Sequence, residues 1–352
     1  QIGFQHDLCF RHYQSLGRGQ RKRFVEVREE SNLGGDLGNY KAHDTQGACV
    51  AVLCGGGMFE LPHGGKIQAC DETCVSATKM VLQSSQFNVL KIDVCKLGTS
   101  GAEGDSTRSD LARCKCIVIP GGHDVPQAEA LGDIGRQALL NAWHRGVGLV
   151  GVCAGAWLLS HGDGQAHCFR WLPVRCDPVF GDNGVKGMVR LEASDVAQSV
   201  LGDGLLGQVM FDESPSMCID TSLSGAEALF VDATYAKPGV RAFDPSGFDA
   251  IKSLGEKMDT LIGSAAVIRA DATLEAGDCA CASTRGRVVL IGPHFELTEG
   301  IAKRRTVVRA VAWATGQDPS CGGVAERSQM ICAVCEGTGV LLSKSCPLCS
   351  EV

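Results

Sequence analysis

The stretch VGLVGVCAGAWLLS, residues 147–160, decides the fold. Its first half is a continuous apolar run of strand length, and its second half reads as the opening of a helix. Between them stands a single cysteine, Cys153, with Gly151 and Gly155 two residues away on either side. A strand that turns sharply into a helix sets the residue at the turn on the carboxyl end of the strand, where open α/β sheets hold their ligands.

The same alternation extends outward from this stretch. Upstream, ACVAVLC (residues 48–54), FNVLKIDV (87–94) and CIVIPGG (116–122) read as buried strands. DETCVSATKMVLQSS (71–85) and PQAEALGDIGRQALLNAWHRG (126–146) carry apolar residues at helical spacing. Continuous apolar strands separated by helices predict an α/β, flavodoxin-like domain, with a mostly parallel sheet and helices on both faces. Residues 97–113 are polar and glycine-rich and read as a surface loop. Downstream, MVRLEA, AEALFVDATY, AAVIRA and RVVLIGPH read as further strands, and residues 300–316 as a closing amphipathic helix. Residues 177–224 read as loop-rich, without an order of elements.

Composition bounds the remaining possibilities. A chain of 352 residues with 44% hydrophobic and 21% charged residues can bury a full core. A formal net charge of −7 gives no global reason to bind nucleic acid, and the basic RGQRKRF run at residues 18–24 is local. No apolar run reaches the roughly 20 residues that a spanning helix needs, so no transmembrane segment is expected. Nineteen cysteines scattered through apolar runs read as reduced core thiols in a reducing compartment, cytosolic or organellar. Residues 1–47 lack periodicity and read as an N-terminal arm or a leader remnant.

A G-x-C-x-G turn holds a nucleophile clear of the sheet, and its small neighbours let a carbonyl approach. The helix that follows directs free N–H groups at the thiol, which favours thiolate. A buried structural cysteine would suit the same turn. Beyond a later strand, His294 and Glu296 form an H-x-E pair. Cysteine chemistry needs an imidazole to carry the thiol proton and a carboxylate to orient the imidazole, and Cys153, His294 and Glu296 supply that set.

Taken together, VAVLCGGGM, CVSATKMVL, CIVIPGGHDVPQAEAL, GVGLVGVCAGAWLLS and GRVVLIGPHFELTEG resemble one family across residues 48–316. It is the amidotransferase-like domain of the biotin-protein ligase N-terminal type, within the class I glutamine amidotransferase superfamily. The resemblance implies a flavodoxin-like sheet and a catalytic triad of Cys153, His294 and Glu296. It also implies an oxyanion hole built from backbone N–H groups near Gly121, Gly122 and Ala154. Donors of that kind stabilise a tetrahedral oxyanion by about 3–4 kcal/mol. The chain departs from the superfamily at Ala156 and Trp157, where a His or Met and then a Gln usually follow the elbow, and at Phe295, which replaces the proline of H-P-E. An inserted segment, residues 272–284, precedes the last strand and bears on access to the site.

Residues 317–330 read as a linker, and residues 331–352 as a separate zinc-binding tail. Cys332 with Cys335, and Cys346 with Cys349, form two C-x-x-C pairs whose spacing suits one tetrahedral Zn²⁺. So short a segment has too little apolar content to fold without a metal. Two disulfides or a redox dithiol pair are the other readings of these cysteines. CAVCEGTG resembles half of the zinc-binding domain of DnaJ-type co-chaperones, a module also found in small plastid proteins of photosystem assembly. That resemblance implies a zinc-ribbon-like tail with structural zinc.

Two functions fit the sequence. The first is a cysteine-dependent amidotransferase-like hydrolase that takes a small-molecule amide or related carbonyl. The second is a non-catalytic accessory or assembly subunit of a larger complex, plastid, mitochondrial or peripheral to a membrane, that meets protein partners through its arm and zinc tail.

Overall fold

Strand β1 (Cys49–Cys54) starts the sheet and ends in three glycines with positive φ, which turn the chain into a hairpin of β2 (Met58–Leu61) and β3 (Gly65–Gln68). Asp71 then caps α1 (Glu72–Ser84), its carboxylate accepting from the N–H groups of Thr73 and Cys74. The chain continues through β4 (Asn88–Asp93), α2 (Val94–Gly98), α3 (Ala102–Ala112), β5 (Cys116–Ile119) and α4 (Asp124–His144). Next come β6 (Gly148–Val152) and the six-residue α5 (Ala154–Leu159). The second half supplies β7 (Val174–Asp177), β8 (Lys186–Ala193), α6 (Asp195–Leu201), β9 (Gly207–Asp212) and β10 (Ser216–Ile219). It closes with β11 (Leu229–Tyr235), β12 (Ala265–Ala270), β13 (Val288–Ile291) and α7 (Ile301–Ala314).

This is a computed structural model, and it describes residues 47–61, 65–85, 87–162, 167–178, 186–236, 261–271, 285–316, 340–341 and 344–345. The arm to residue 46, the linker, the inserted residues 272–284 and all four tail cysteines lie outside the described residues. In the tail, β14 (Val340–Leu341) pairs antiparallel with β15 (Lys344–Ser345). No helix among the described residues is long and apolar enough to cross a membrane.

The main sheet runs β4-β1-β5-β6-β13-β12-β11-β8-β9. Its first five strands are parallel neighbours. Numbered along the chain among themselves, they give the order 2-1-3-4-5, the flavodoxin-like winding. β5, β6 and β13 are buried at every position, as parallel strands covered on both faces must be. α7 packs with α1 and against β5, β6 and β13, while α4 packs with α2 and α5 in the other layer. The α/β, flavodoxin-like fold expected from the sequence is therefore present.

Two expectations are corrected. Residues 97–113, expected to be a surface loop, contain α3. Only Gly104 and Leu111 of that helix are buried, so it shows almost no apolar stripe and is held by local polar contacts such as Arg108 with Asp105. Residues 177–224, expected to be loop-rich, contain β8, α6, β9 and β10. β13 is parallel to β6 but antiparallel to β12, and from there the sheet continues through antiparallel β11, β8 and β9. β9, for one, has fully buried residues only at every second position over its second half and lacks the unbroken apolar runs of the parallel half.

Candidate active site

Because β5, β6 and β13 are parallel, their carboxyl ends lie together and bring three sequence-distant turns to one place. Cys153 occupies the turn after β6 with φ 50° and ψ −106°, a backbone conformation rare for a residue with a side chain. Its N–H donates to the Ile291 carbonyl at 2.8 Å, and its own carbonyl accepts from Ala156 and Trp157 at 2.9 and 3.2 Å. A Cβ on Gly155 would lie 2.1 Å from the Ile119 carbonyl oxygen, and one on Gly151 would lie 2.6 Å from the Gly155 oxygen. Both glycines are thus required by close backbone approach.

The turn after β13 carries His294 and Glu296. The His294 Nδ1–H donates to Glu296 Oε1 at 2.7 Å, which leaves Nε2 as the ring's second nitrogen, and Cys153 lies close enough to act on the ring's charge. The structure therefore brings Cys153, His294 and Glu296 together. Burial pushes the imidazole toward its neutral form. The charges of Glu296, Cys74 and Cys153 and the hydrogen bond with Cys153 outweigh that, so its pKa stands well above the usual range. Glu296 Oε2 is buried and has no hydrogen-bond partner.

The PGG turn after β5 forms the third side. A Cβ on Gly121 would sit 2.6 Å from His294 Cε1, so the imidazole packs directly on this backbone. Gly122 adopts φ 144°, and Gln127 fastens the turn by donating to the carbonyls of Ala69 and Pro120. Among the described residues, the N–H groups of Gly121, Gly122 and Ala154 donate to no backbone carbonyl.

Three contacts were not legible in the sequence. Cys74, in the first turn of α1, places its sulfur 3.8 Å from His294 Nδ1. The Asp212 carbonyl accepts from the Cys153 thiol at 3.7 Å, so the end of β9 covers this sulfur. Thr298 accepts from Met210 N–H and donates to the His294 carbonyl, while His294 N–H donates to the Met210 carbonyl. Asp71 ahead of Cys74 is a readable helix cap, but nothing in the sequence links it to a histidine 220 residues away. The site is closed: Cys153 is 7% exposed, Cys74 5%, and His294 and Glu296 2% each. Ala156 and Trp157, at the departure from the superfamily pattern, are buried, and so is Phe295.

No family model matches the sequence, and no curated protein is similar to it. Among solved structures, a glutamine amidotransferase is similar at 17% identity and a TM-score of 0.43, covering 69% of this chain and 94% of that one. The glutaminase domain of Trypanosoma brucei CTPS with bound acivicin is 14% identical with a TM-score of 0.41, covering 77% and 95%. A ThuA-like protein from Parabacteroides merdae is 12% identical with a TM-score of 0.43, covering 78% and 92%.

Proposed function

We propose that this chain is a cysteine-dependent, amidotransferase-like hydrolase related to the biotin-protein ligase N-terminal type, acting on a small-molecule amide or related carbonyl. The observation that carries the reading is Cys153 at φ 50° beside the bonded His294–Glu296 pair. The thiol proton passes to His294 Nε2 as the sulfur adds to the carbonyl carbon. The resulting oxyanion takes hydrogen bonds from Gly121, Gly122 and Ala154 N–H groups. Collapse breaks the C–N bond, and the imidazolium returns its proton to the departing amine. Water, deprotonated by the same imidazole, then hydrolyses the thioester. Glu296 keeps the ring in the tautomer that leaves Nε2 open.

The four tail cysteines hold a structural zinc in this reading, and the arm and tail meet protein partners. The covered thiol favours one further reading, an accessory subunit in which the elbow is structural.

Alkylation of Cys153 by iodoacetamide, mapped by mass spectrometry, separates the two. In the hydrolase, His294→Ala slows labelling of Cys153 by about 100-fold, as loss of a proton acceptor does, and Glu296→Gln slows it less. Equal labelling in wild type and His294→Ala overturns the hydrolase and leaves the accessory subunit.

A further inference from the structure

We propose that Cys74, His294 and Glu296 form a binding site for a borderline-soft divalent cation, zinc, and that occupancy takes His294 out of proton transfer. The inference rests on the same His294–Glu296 pair as the hydrolase reading, but uses the Nδ1 side of the ring, which Cys74 and Glu296 face.

The donor atoms of the three residues lie within 4.8 Å of one another and are buried. Thiolate, imidazole and carboxylate are the ligand types of zinc. Bonds of about 2.3 Å to sulfur and about 2.0 Å to nitrogen at a tetrahedral angle place those atoms about 3.5 Å apart. Cys74 Sγ and His294 Nδ1 are 3.8 Å apart, close to that edge and long for a hydrogen bond. The second edge, Nδ1 to Glu296 Oε1, is 2.7 Å and has to open. Glu296 has a second oxygen available, because Oε2 is buried with no partner, an uncommon state for a carboxylate. A cation reached by Oε2 removes that deficit.

Gly121 keeps the space clear. A Cβ there would lie 2.6 Å from His294 Cε1 and 3.0 Å from Cys74 Sγ, so no other residue fits between the two ligands without displacement. Charge is balanced once the cation is bound. Without metal, the ring's Nδ1–H faces the Glu296 carboxylate across the 2.7 Å bond and Nε2 is open. With metal, a dication faces one thiolate and one carboxylate, and the Cys74 proton leaves to solvent. The ring's proton then resides on Nε2. An imidazole in that state cannot take the Cys153 proton, so the bound cation arrests the relay without touching the nucleophile.

Cadmium-113 NMR of the full chain, loaded with cadmium in place of zinc, tests the site, because the resonance position reports how many sulfurs bind. A one-sulfur resonance is expected, separate from any four-sulfur resonance of the tail. Cys74→Ser removes it and leaves the tail resonance in place. Should Cys74→Ser fail to fold, as judged by circular dichroism, Glu296→Gln serves instead and removes or displaces the same resonance. Zinc competes cadmium from this site, and loss of either ligand weakens zinc binding there by about tenfold or more. Absence of a one-sulfur resonance, or its persistence in both variants, overturns the site. The hydrolase reading fails separately: a one-sulfur resonance with Cys153 alkylation indifferent to His294→Ala keeps the cation site and discards the relay. No such resonance with alkylation that depends on His294 does the reverse.

Discussion

Cys153 holds a backbone conformation that costs on the order of 1–3 kcal/mol and persists only where its surroundings over-determine it. Three hydrogen bonds do so, one to the neighbouring strand end and two into the first turn of α5. The two flanking glycines do so as well, since Gly155 stands against the end of β5 and Gly151 against the backbone of Gly155 and Ala156. Gly155→Ala sets a methyl 2.1 Å from the Ile119 carbonyl oxygen, and the end of β5 has to move. We expect it to destabilise the protein by about 3 kcal/mol or more, the upper range for overpacking, read as a lower denaturation midpoint in urea. A midpoint equal to wild type would mean that the elbow is not packed as described. The G-x-C-x-G spacing made this turn legible in the sequence, because strand, glycines and helix start are contiguous. Cys74 was not legible, because its role comes from a contact across 220 residues. One spacing marks the cysteine elbow, and only the fold shows which second sulfur faces His294.

The elements that position His294 come from both halves of the sheet. β13 delivers the histidine, and β9, in the antiparallel extension, receives it: Met210 and His294 form an isolated bridge, closed by Thr298. Thr298→Val removes the acceptor for Met210 N–H at 2.9 Å and the donor to the His294 carbonyl at 2.6 Å. We expect a loss of about 1–3 kcal/mol, the cost of leaving buried polar groups unpaired, and slower alkylation of Cys153 as the imidazole loses its fixed position. Unchanged melting and labelling would remove Thr298 from the support of the site. A second link joins the start of α4 to the segment after α5, where His167 Nε2 meets Asp124 Oδ2 at 2.7 Å. Burial lowers the His167 pKa, but hydrogen bonds and charge from Asp124 and Cys168 overcome that and raise it to about 10. A raised histidine pKa stabilises the fold fully below the ordinary value of 6.5, and the contribution is lost as pH rises through about 10. His167→Gln should therefore lower the melting temperature by on the order of 3 °C near pH 6, for a partly exposed pair of about 1 kcal/mol. The difference from wild type should close above pH 10; a difference independent of pH would show packing rather than charge. The parallel strands were legible as unbroken apolar runs. β8, β9 and α3 were not, because a sheet face open on one side and a helix with two buried residues leave weak patterns.

On the scale of the whole chain, a flavodoxin-like half supplies the cysteine elbow, the PGG turn and the histidine strand, and an antiparallel half covers them. The alternation of strands and helices made the first half readable, whereas the order of the second depends on pairings between segments far apart in sequence. The tail obeys different physics. Its described part is one ladder of two residues a side, Val340–Leu341 with Lys344–Ser345, lying in sequence between the two C-x-x-C pairs. A hairpin that small is marginal in water by itself, so its stability has to come from elsewhere, and four thiolates on one Zn²⁺ would supply it. The main domain has its own buried core, from Leu53 through Ile117 to Leu139 and Trp143, and does not need that metal to fold. A chelator is therefore expected to make the full-length chain sensitive to trypsin at Lys344 while residues 48–316 stay resistant and keep their melting transition. Cys346→Ser should reproduce the chelator's effect without it, with zinc content falling by one equivalent. Tail proteolysis unchanged by chelator and by Cys346→Ser, or recovery of the four cysteines as disulfides from the native protein, would return the tail to a redox role and leave the two-residue ladder without a source of stability.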